Sequence, residues 1–273
     1  MSEKTLEIIT LRPDAKHWSK SRDDKLDPTN PVLFLSPVMI LVIWEIVGQL
    51  NLIDTRFFPP PSQIAVVFWQ QIASGELFYH TGITLYRVLV GFAVGSIIGT
   101  FVGITMGLSS LARVTLYPLI AAIYPIPKVA IFPLLLLVMG LGEGAKLATI
   151  IASCFFFLTI SGMSGVMNVP HVYKDVGRNF GANYWNFVTT IALPAALPPI
   201  FAGLRLSLGT AFLVGVSIEF ISAQEGIGWM IWHSWELFSL PLMFVGLLTV
   251  SFLGLVLTFM LDFAEKRLVP WKS

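Results

Sequence analysis

Six stretches of about twenty mostly apolar residues follow one another along this chain, and each is long enough to cross the hydrocarbon core of a bilayer. They run about Val32–Leu50, Ile83–Leu108, Leu116–Met139, Leu147–Met167, Pro199–Ile221 and Leu242–Phe263. Lipid offers the backbone no hydrogen-bond partners, so segments of this kind fold as helices. The expected class is an all-α membrane protein with six transmembrane helices. Composition agrees: 55% of the residues are hydrophobic and 12% charged, where a soluble domain carries roughly 25% charged residues.

Lysine and arginine placement sets the expected orientation, because cytoplasmic loops are enriched in both. With the amino terminus inside, Lys4, Arg12, Lys16, Lys20, Arg22 and Lys25 of the first thirty residues lie in the cytoplasm. Arg113, Lys174, Arg178, Lys266, Arg267 and Lys272 join them, and only Arg56 and Lys146 lie outside. Both termini are therefore expected in the cytoplasm. Residues 1–30 have no apolar core of the signal-peptide type and read as a retained cytoplasmic tail. Residues 31–273 read as one transmembrane domain. The net charge of +1 gives no field that would favour nucleic acid. A single cysteine, Cys154, excludes an internal disulfide and reads as a small buried apolar residue.

The second span carries Gly91, Gly95, Gly99, Gly103 and Gly107, one glycine every fourth residue. On a helix they form a strip of bare backbone that another helix can approach closely. The third span holds Pro118, Pro125, Pro127 and Pro133 and is expected to be kinked or interrupted. Broken helices often line substrate paths, so spans two, three and five are candidates for the pathway. Lys128, after Pro125 and Pro127, either faces that path and attracts an anionic substrate, or snorkels or satisfies carbonyls freed by the break. Arg205 of span five either reaches the cytoplasmic interface or ties the span to the cytoplasmic hairpin that precedes it. Arg87 and Glu219 lie at similar depth near the outer ends of spans two and five. They are expected to pair directly or through one intermediary, as architecture or as part of a gate. Two outer segments look interfacial. One follows Phe57-Phe58-Pro59-Pro60-Pro61-Ser62, with Ser62 as helix cap and Ile64, Val67, Phe68 and Ile72 on one face. The other carries Trp229, Trp232 and Trp235.

Between the fourth and fifth spans, residues 168–198 are too polar to cross a membrane. Pro170 can start a short helix, Gly181 allows a sharp bend, and a second short helix runs to Ile191 before Pro194 and Pro198 close the segment. The expected object is a helix–glycine–helix hairpin at the cytoplasmic surface, with Tyr173, Tyr184 and Trp185 free to fill a partner's groove.

This loop resembles the cytoplasmic loop of ABC-importer permeases, which reads Glu-Ala-Ala, three residues, Gly, nine residues, Ile-x-Leu-Pro. Asp175-Val176-Gly177 stands at the first three places, Gly181 follows after three residues, and Ile191, Leu193 and Pro194 follow after nine. The first triplet departs from the family pattern. Further matches are the FFPPPS segment, the Thr84–Phe92 opening of span two, Pro125-Ile126-Pro127-Lys128, Gly140-Leu141-Gly142-Glu143, Gly203-Leu204-Arg205-Leu206, Glu219 and Glu225-Gly226-Ile227-Gly228. Together they resemble the nitrate/sulfonate/taurine/bicarbonate family of type I ABC-importer permeases from about residue 30 to the end. The resemblance implies the type I importer fold and a homodimer with a pathway near its interface. Two ATPase subunits holding ATP-Mg would dock on the hairpins. An external binding protein would deliver a small solute, anionic or sulfonate-like, and the membrane would be a prokaryotic inner membrane.

Other classes have less in the sequence to stand on. His17, His80, His171 and His233 are scattered without metal-ligand spacing, and no metal or catalytic site is expected. The stretch Gly140–Leu147 lacks the second glycine and the Ser/Thr of a phosphate-binding loop, so ATP hydrolysis is not expected of this chain. An ion-coupled secondary carrier or channel without ATPase partners remains the alternative. It would call for acidic residues deep in the spans, a position that only Glu45 and Glu219 approach.

Overall fold

The computed structural model describes residues 31–272; the tail of residues 1–30 lies outside the described residues. Those described are almost wholly helical, with no strand among them.

Helix α1 (Pro31–Gln49) belongs with the residues up to Ile53 to a unit of its own. Its apolar part, Leu35–Gln49, is short for a crossing. Over all 19 residues the helix reaches about 28 Å, close to the thickness of a hydrocarbon core. Val38, Met39, Ile40, Leu41, Val42 and Ile43 are all exposed along it, which suits a helix surrounded by lipid.

The second unit begins at Asp54. Arg56 forms a salt bridge to Asp54 at 2.8 Å and holds that exposed carboxyl below its ordinary pKa by hydrogen bonding. Helix α2 (Pro61–Ser74) starts from Pro60, with Pro61 in its first turn. Ser62 is therefore inside the helix and is not its cap. Proline fixes the helical φ and lacks an N–H that the first turn leaves unpaired anyway, so no side-chain cap is required. The expected apolar face is present: Ile64 is buried and Val67, Phe68 and Ile72 are half-buried. The helix packs against α11 (Leu240–Leu268). Gly75, at φ 84°, ends α2 and starts the next helix.

Helices α3 (Glu76–Leu108) and α6 (Glu143–Met167) form the closest pair. The glycine strip makes this possible. A methyl on Gly95 or Gly99 would lie 2.5 Å from the carbonyl oxygens of Ile151 and Phe155, and one on Gly91 2.5 Å from Ile150. Gly103 and Gly107 meet Thr159 and Val166 in the same way.

The third expected span consists of two helices, α4 (Ser110–Ile123) and α5 (Lys128–Met139), bent by 98°. Of its four prolines, Pro125 and Pro127 occupy the break, while Pro118 and Pro133 lie inside the two helices. Ser109 caps α4 by accepting the Ala112 N–H.

Two short helices follow α6, namely α7 (His171–Asn179) and α8 (Tyr184–Phe187). A π-turn over Val188–Ala192 then runs directly into α9 (Leu193–Ser222). The prolines at 194 and 198 do not close this segment. The helix is continuous for 39 residues from Tyr184 to Ser222. Proline removes one donor and crowds the preceding turn, and a wider π-turn just before Pro194 is where such a defect can be absorbed. Span five thus starts well before Pro199, and the hairpin has no boundary at Pro198.

Helix α10 (Ile227–Glu236) packs against α3 and α9 and leads to α11. The apolar core sits where α3, α5, α6 and α9 meet, around Val88, Phe132, Ile150, Cys154, Leu208 and Ile218. Among the described residues, four helices, α3, α6, the continuous α8–α9 helix and α11, are long and apolar enough to cross a membrane, and the bent α4–α5 pair makes up to five.

Candidate functional site

The chemistry-bearing side chains collect at the two ends of α3 and at the α4–α5 break. At one end, Arg87 is 2% exposed and Glu219 fully buried. Arg87 Nη1 donates to Glu219 Oε1 at 2.8 Å, so the two residues are paired directly. Both have further partners. Thr84 Oγ1 donates to the Glu219 carboxylate at 2.9 Å, and the Gly228 N–H donates to its Oε2 at 2.8 Å. Arg87 donates from Nε and Nη2 to both oxygens of Glu143 at 2.8 and 2.7 Å, and from Nη1 to the Glu225 carbonyl at 2.8 Å. Lys146 donates to Glu143 at 2.8 Å.

The Glu225-Gly226-Ile227-Gly228 turn is built around this cluster. Gly226 takes φ 112° and its N–H donates to His80 Nδ1 at 3.1 Å, while the Ile227 N–H donates to Thr84 Oγ1 at 2.8 Å. A Cβ on Gly226 would lie 2.5 Å from the Glu219 carboxyl carbon, and one on Gly228 2.6 Å from the Val216 carbonyl oxygen. Both glycines are small because Glu219 fills the space. Tyr79 closes the rim by donating to Glu225 at 2.7 Å. Arg87, Glu143, Lys146 and Glu225 line an open cavity of about 500 Å³ there. The parts of Glu143, Lys146 and Thr84 in this cluster were not read from the sequence. Glu143 sits in a glycine-rich stretch whose depth hydropathy does not reveal, although its spacing of three from Lys146 is a helix-pair signal.

At the break, Lys128 Nζ donates to the carbonyls of Ile123, Tyr124 and Ile126 at 3.0, 3.0 and 2.7 Å. Its ammonium also lies 4.5 Å from the centre of the Phe156 ring. The residue thus serves carbonyls that the interruption at Pro125 and Pro127 has left without helical partners. Arg205 does not tie its span to the hairpin. It pairs with Asp262 at 2.5 Å and with Glu265, both on α11. Among the described residues, no three His, Cys, Asp or Glu side chains are arranged to hold a metal ion.

At the other end, α7 and α8 form the hairpin. Gly181 takes φ 68°, a left-handed conformation that suits glycine. The Ala182 N–H donates to the Gly177 carbonyl at 2.9 Å, and Asn183 caps α8 by accepting the Asn186 N–H at 2.8 Å. Gly177 is buried, and a Cβ there would lie 2.9 Å from Ile191 Cδ1. The small third residue of the motif and its isoleucine are therefore packing partners. Leu193 and Pro194 are half-buried at the hairpin root. Tyr173, Asp175, Tyr184 and Trp185 are exposed, the last at 69%. Phe180, which the sequence reading passed over, is 87% exposed beside them. The hairpin thus presents aromatic rings to the outside on a frame fixed from within.

A family model described as "Binding-protein-dependent transport system inner membrane component" matches residues 91–270. SsuC of Bacillus subtilis (strain 168), whose name refers to aliphatic sulfonates transport, is 31% identical over 239 residues. That match covers 88% of this chain and 87% of SsuC. The taurine transport system permease protein TauC of Escherichia coli (strain K12) is 30% identical over 238 residues, covering 85% and 86%. The riboflavin transport system permease protein RibX of Chloroflexus aurantiacus is 31% identical over 236 residues, covering 86% and 88%. Among solved structures, a chain of the MetNI methionine ABC transporter in an inward-facing form superposes with TM-score 0.55 at 20% identity. It covers 70% of this chain and 93% of its own length.

Proposed function

Since the chain belongs to the family of binding-protein-dependent transport system inner membrane components, we propose a specific working arrangement for it. It is the membrane-spanning permease subunit of an ABC importer, a multi-pass protein of a prokaryotic inner membrane. ATP hydrolysis belongs to separate ATPase subunits, and a substrate-binding protein supplies the solute. Within that frame two copies of this chain pair around the pathway. The chain crosses six times, through α1, α3, the bent α4–α5 pair, α6, α9 and α11, with both termini in the cytoplasm. The 1–30 tail is cytoplasmic. The solute is a small sulfonate-like anion, a reading supported by the names of SsuC and TauC. Arg87 and Glu219 lock the outer ends of α3 and α9, and Pro125, Pro127 and Lys128 shape the wall of the path. Arg205 braces α9 against α11 beside it.

The observation that carries this reading is the hairpin. Its backbone turns at Gly181, its interior is closed by Gly177 against Ile191, and Tyr173, Phe180, Tyr184 and Trp185 project outward. A polar hairpin with an apolar aromatic face is suited to filling a groove on a soluble partner, here the ATPase. An ion-coupled carrier finds no free acid in Glu219, whose carboxylate is already held by Arg87, Thr84 and Gly228.

Gly181→Val tests the assignment. A β-branched residue is strained at φ 68°, so the hairpin should be distorted while the transmembrane core is not. The expected result is a permease that reaches the membrane in normal amount, binds the ATPase at least tenfold more weakly and supports no uptake. Normal co-purification with the ATPase together with normal uptake would remove the hairpin from the docking role.

A further inference from the structure

We propose that a basic cavity at the root of the hairpin binds the phosphate of an anionic membrane lipid. The cavity, about 500 Å³, lies between the hairpin and the ends of α3 and α6. Arg113, in the first turn of α4, enters it from one side, and Lys174 and Arg178, one turn apart on α7, enter from the other. No acidic residue lines it, and Asp175 is not among its walls. None of the three cations has an ion-pair partner among the described residues; the Arg113 side chain makes one hydrogen bond, to the Met106 carbonyl at 3.3 Å. Three like charges facing one space repel one another, and an anion entering that space relieves the repulsion.

The remaining wall identifies the source of the anion. Leu108, Val166 and Met167 give the cavity an apolar side at the ends of the two tightly packed helices. A free inorganic anion gains nothing from such a wall, whereas the glycerol and first methylenes of a lipid do. Helix ends are also where headgroups lie, and basic pockets between helices suit phosphate headgroups. A lipid seated there would join the α3–α4 corner to the hairpin, two parts of the chain that otherwise share little packing. The cavity itself comes from the fold. Only its assignment to the cytoplasmic leaflet rests on the orientation proposed above.

The test uses the intact transporter, permease with its ATPase subunits, stripped of lipid in detergent and offered phosphatidylglycerol and phosphatidylcholine in equal amounts. Native mass spectrometry counts the lipids retained per permease. The expected result is selective retention of phosphatidylglycerol. That selectivity should fall about fivefold for each cation removed in Arg113→Gln and Lys174→Gln, and Arg113→Lys should keep it. Thermal unfolding of each variant identifies any selectivity lost through misfolding, and Arg113→Lys then supplies the charge test in a folded protein. Equal retention of both lipids by the wild type would overturn the proposal. So would full displacement of phosphatidylglycerol by millimolar inorganic phosphate, which would make the site one for a free anion. Unchanged lipid selectivity with loss of the ATPase would also overturn it, assigning the cations to an acidic protein surface. Lipid counting does not depend on the outcome of Gly181→Val, so a failure here is distinguishable from a failure of the hairpin reading.

Discussion

Glu219 is held on every side by donors, and this alters what a mutation there should do. For an isolated ion pair, exchanging the two charges restores the attraction. Here an arginine at 219 would face the Gly228 N–H and the Thr84 hydroxyl, and a glutamate at 87 would face Glu143. Arg87→Glu combined with Glu219→Arg is therefore expected to be no better than either single change, in folding or in uptake. Glu219→Gln should cost about 3 kcal/mol, because it leaves part of a buried guanidinium without its counter-charge. Glu143→Gln, at the more exposed carboxylate, should cost about 1 kcal/mol. Unfolding of the purified variants in detergent measures the ordering. Equal costs, or rescue by the reciprocal exchange, would mean that the surrounding donors contribute little. The pairing of Arg87 with Glu219 was legible because a lone charge at that depth is expensive and the two depths agree. The roles of Thr84 and of the Gly226 and Gly228 backbone were not. No spacing rule announces that a turn seven residues past Glu219 folds back over its carboxylate. Ser62 was misread for a related reason, since a serine before an apolar run signals a cap unless the prolines before it already fix the helical φ.

The glycine strip of α3 shows how much an element owes to what is absent from its surface. Period-four glycine is visible in sequence, and the helix that it receives is α6. Gly99→Ala would bring a methyl to 2.5 Å from the Phe155 carbonyl oxygen. Backbone cannot yield there as a flexible side chain can, so the helices must separate, at a cost of about 1–3 kcal/mol. Gly82→Ala on the same helix meets nothing within 4 Å and should stabilise by up to about 1 kcal/mol through helix propensity. Comparing the two unfolding midpoints separates packing from propensity, and destabilisation of similar size in both would show that the close approach is not what the strip provides. Elsewhere the reading of elements failed at proline. Pro125 and Pro127 do break the chain, but Pro194, Pro198 and Pro199 are carried inside one continuous helix. The difference lies in neighbouring residues: Lys128 supplies donors to the opened carbonyls at the first site, and a π-turn precedes the second.

For the molecule as a whole, the two charged ends of α3 mark its two sides. The Arg87 cluster and the hairpin cavity are separated by about twenty residues of helix, roughly 30 Å, which is the hydrocarbon thickness. With Cys154 buried, single cysteines can report which side is which. Ser74→Cys, beside the Arg87 end, is expected to react with an impermeant thiol reagent added to whole cells. Asn179→Cys, on the hairpin, should react only after the membrane is opened. The reverse pattern would invert the orientation proposed for both termini.

The continuity of the α8–α9 rod has a mechanical consequence. The 39 residues from Tyr184 to Ser222 amount to about 58 Å of helix, with the hairpin's aromatic face at one end and Glu219 near the other. Such a rod is a lever. A tilt of about 5° about its far end moves the near end by about 5 Å over that length, one full helical turn. The π-turn at Val188–Ala192 and the prolines at 194, 198 and 199 all lie in the half of the helix nearer the hairpin, where each proline removes a backbone donor, so the stiff part of the arm is the run from Ile200 to Ser222. In the arrangement proposed above, small angular changes at the Glu219 end and larger strokes at the hairpin would be geared to each other through this one continuous helix.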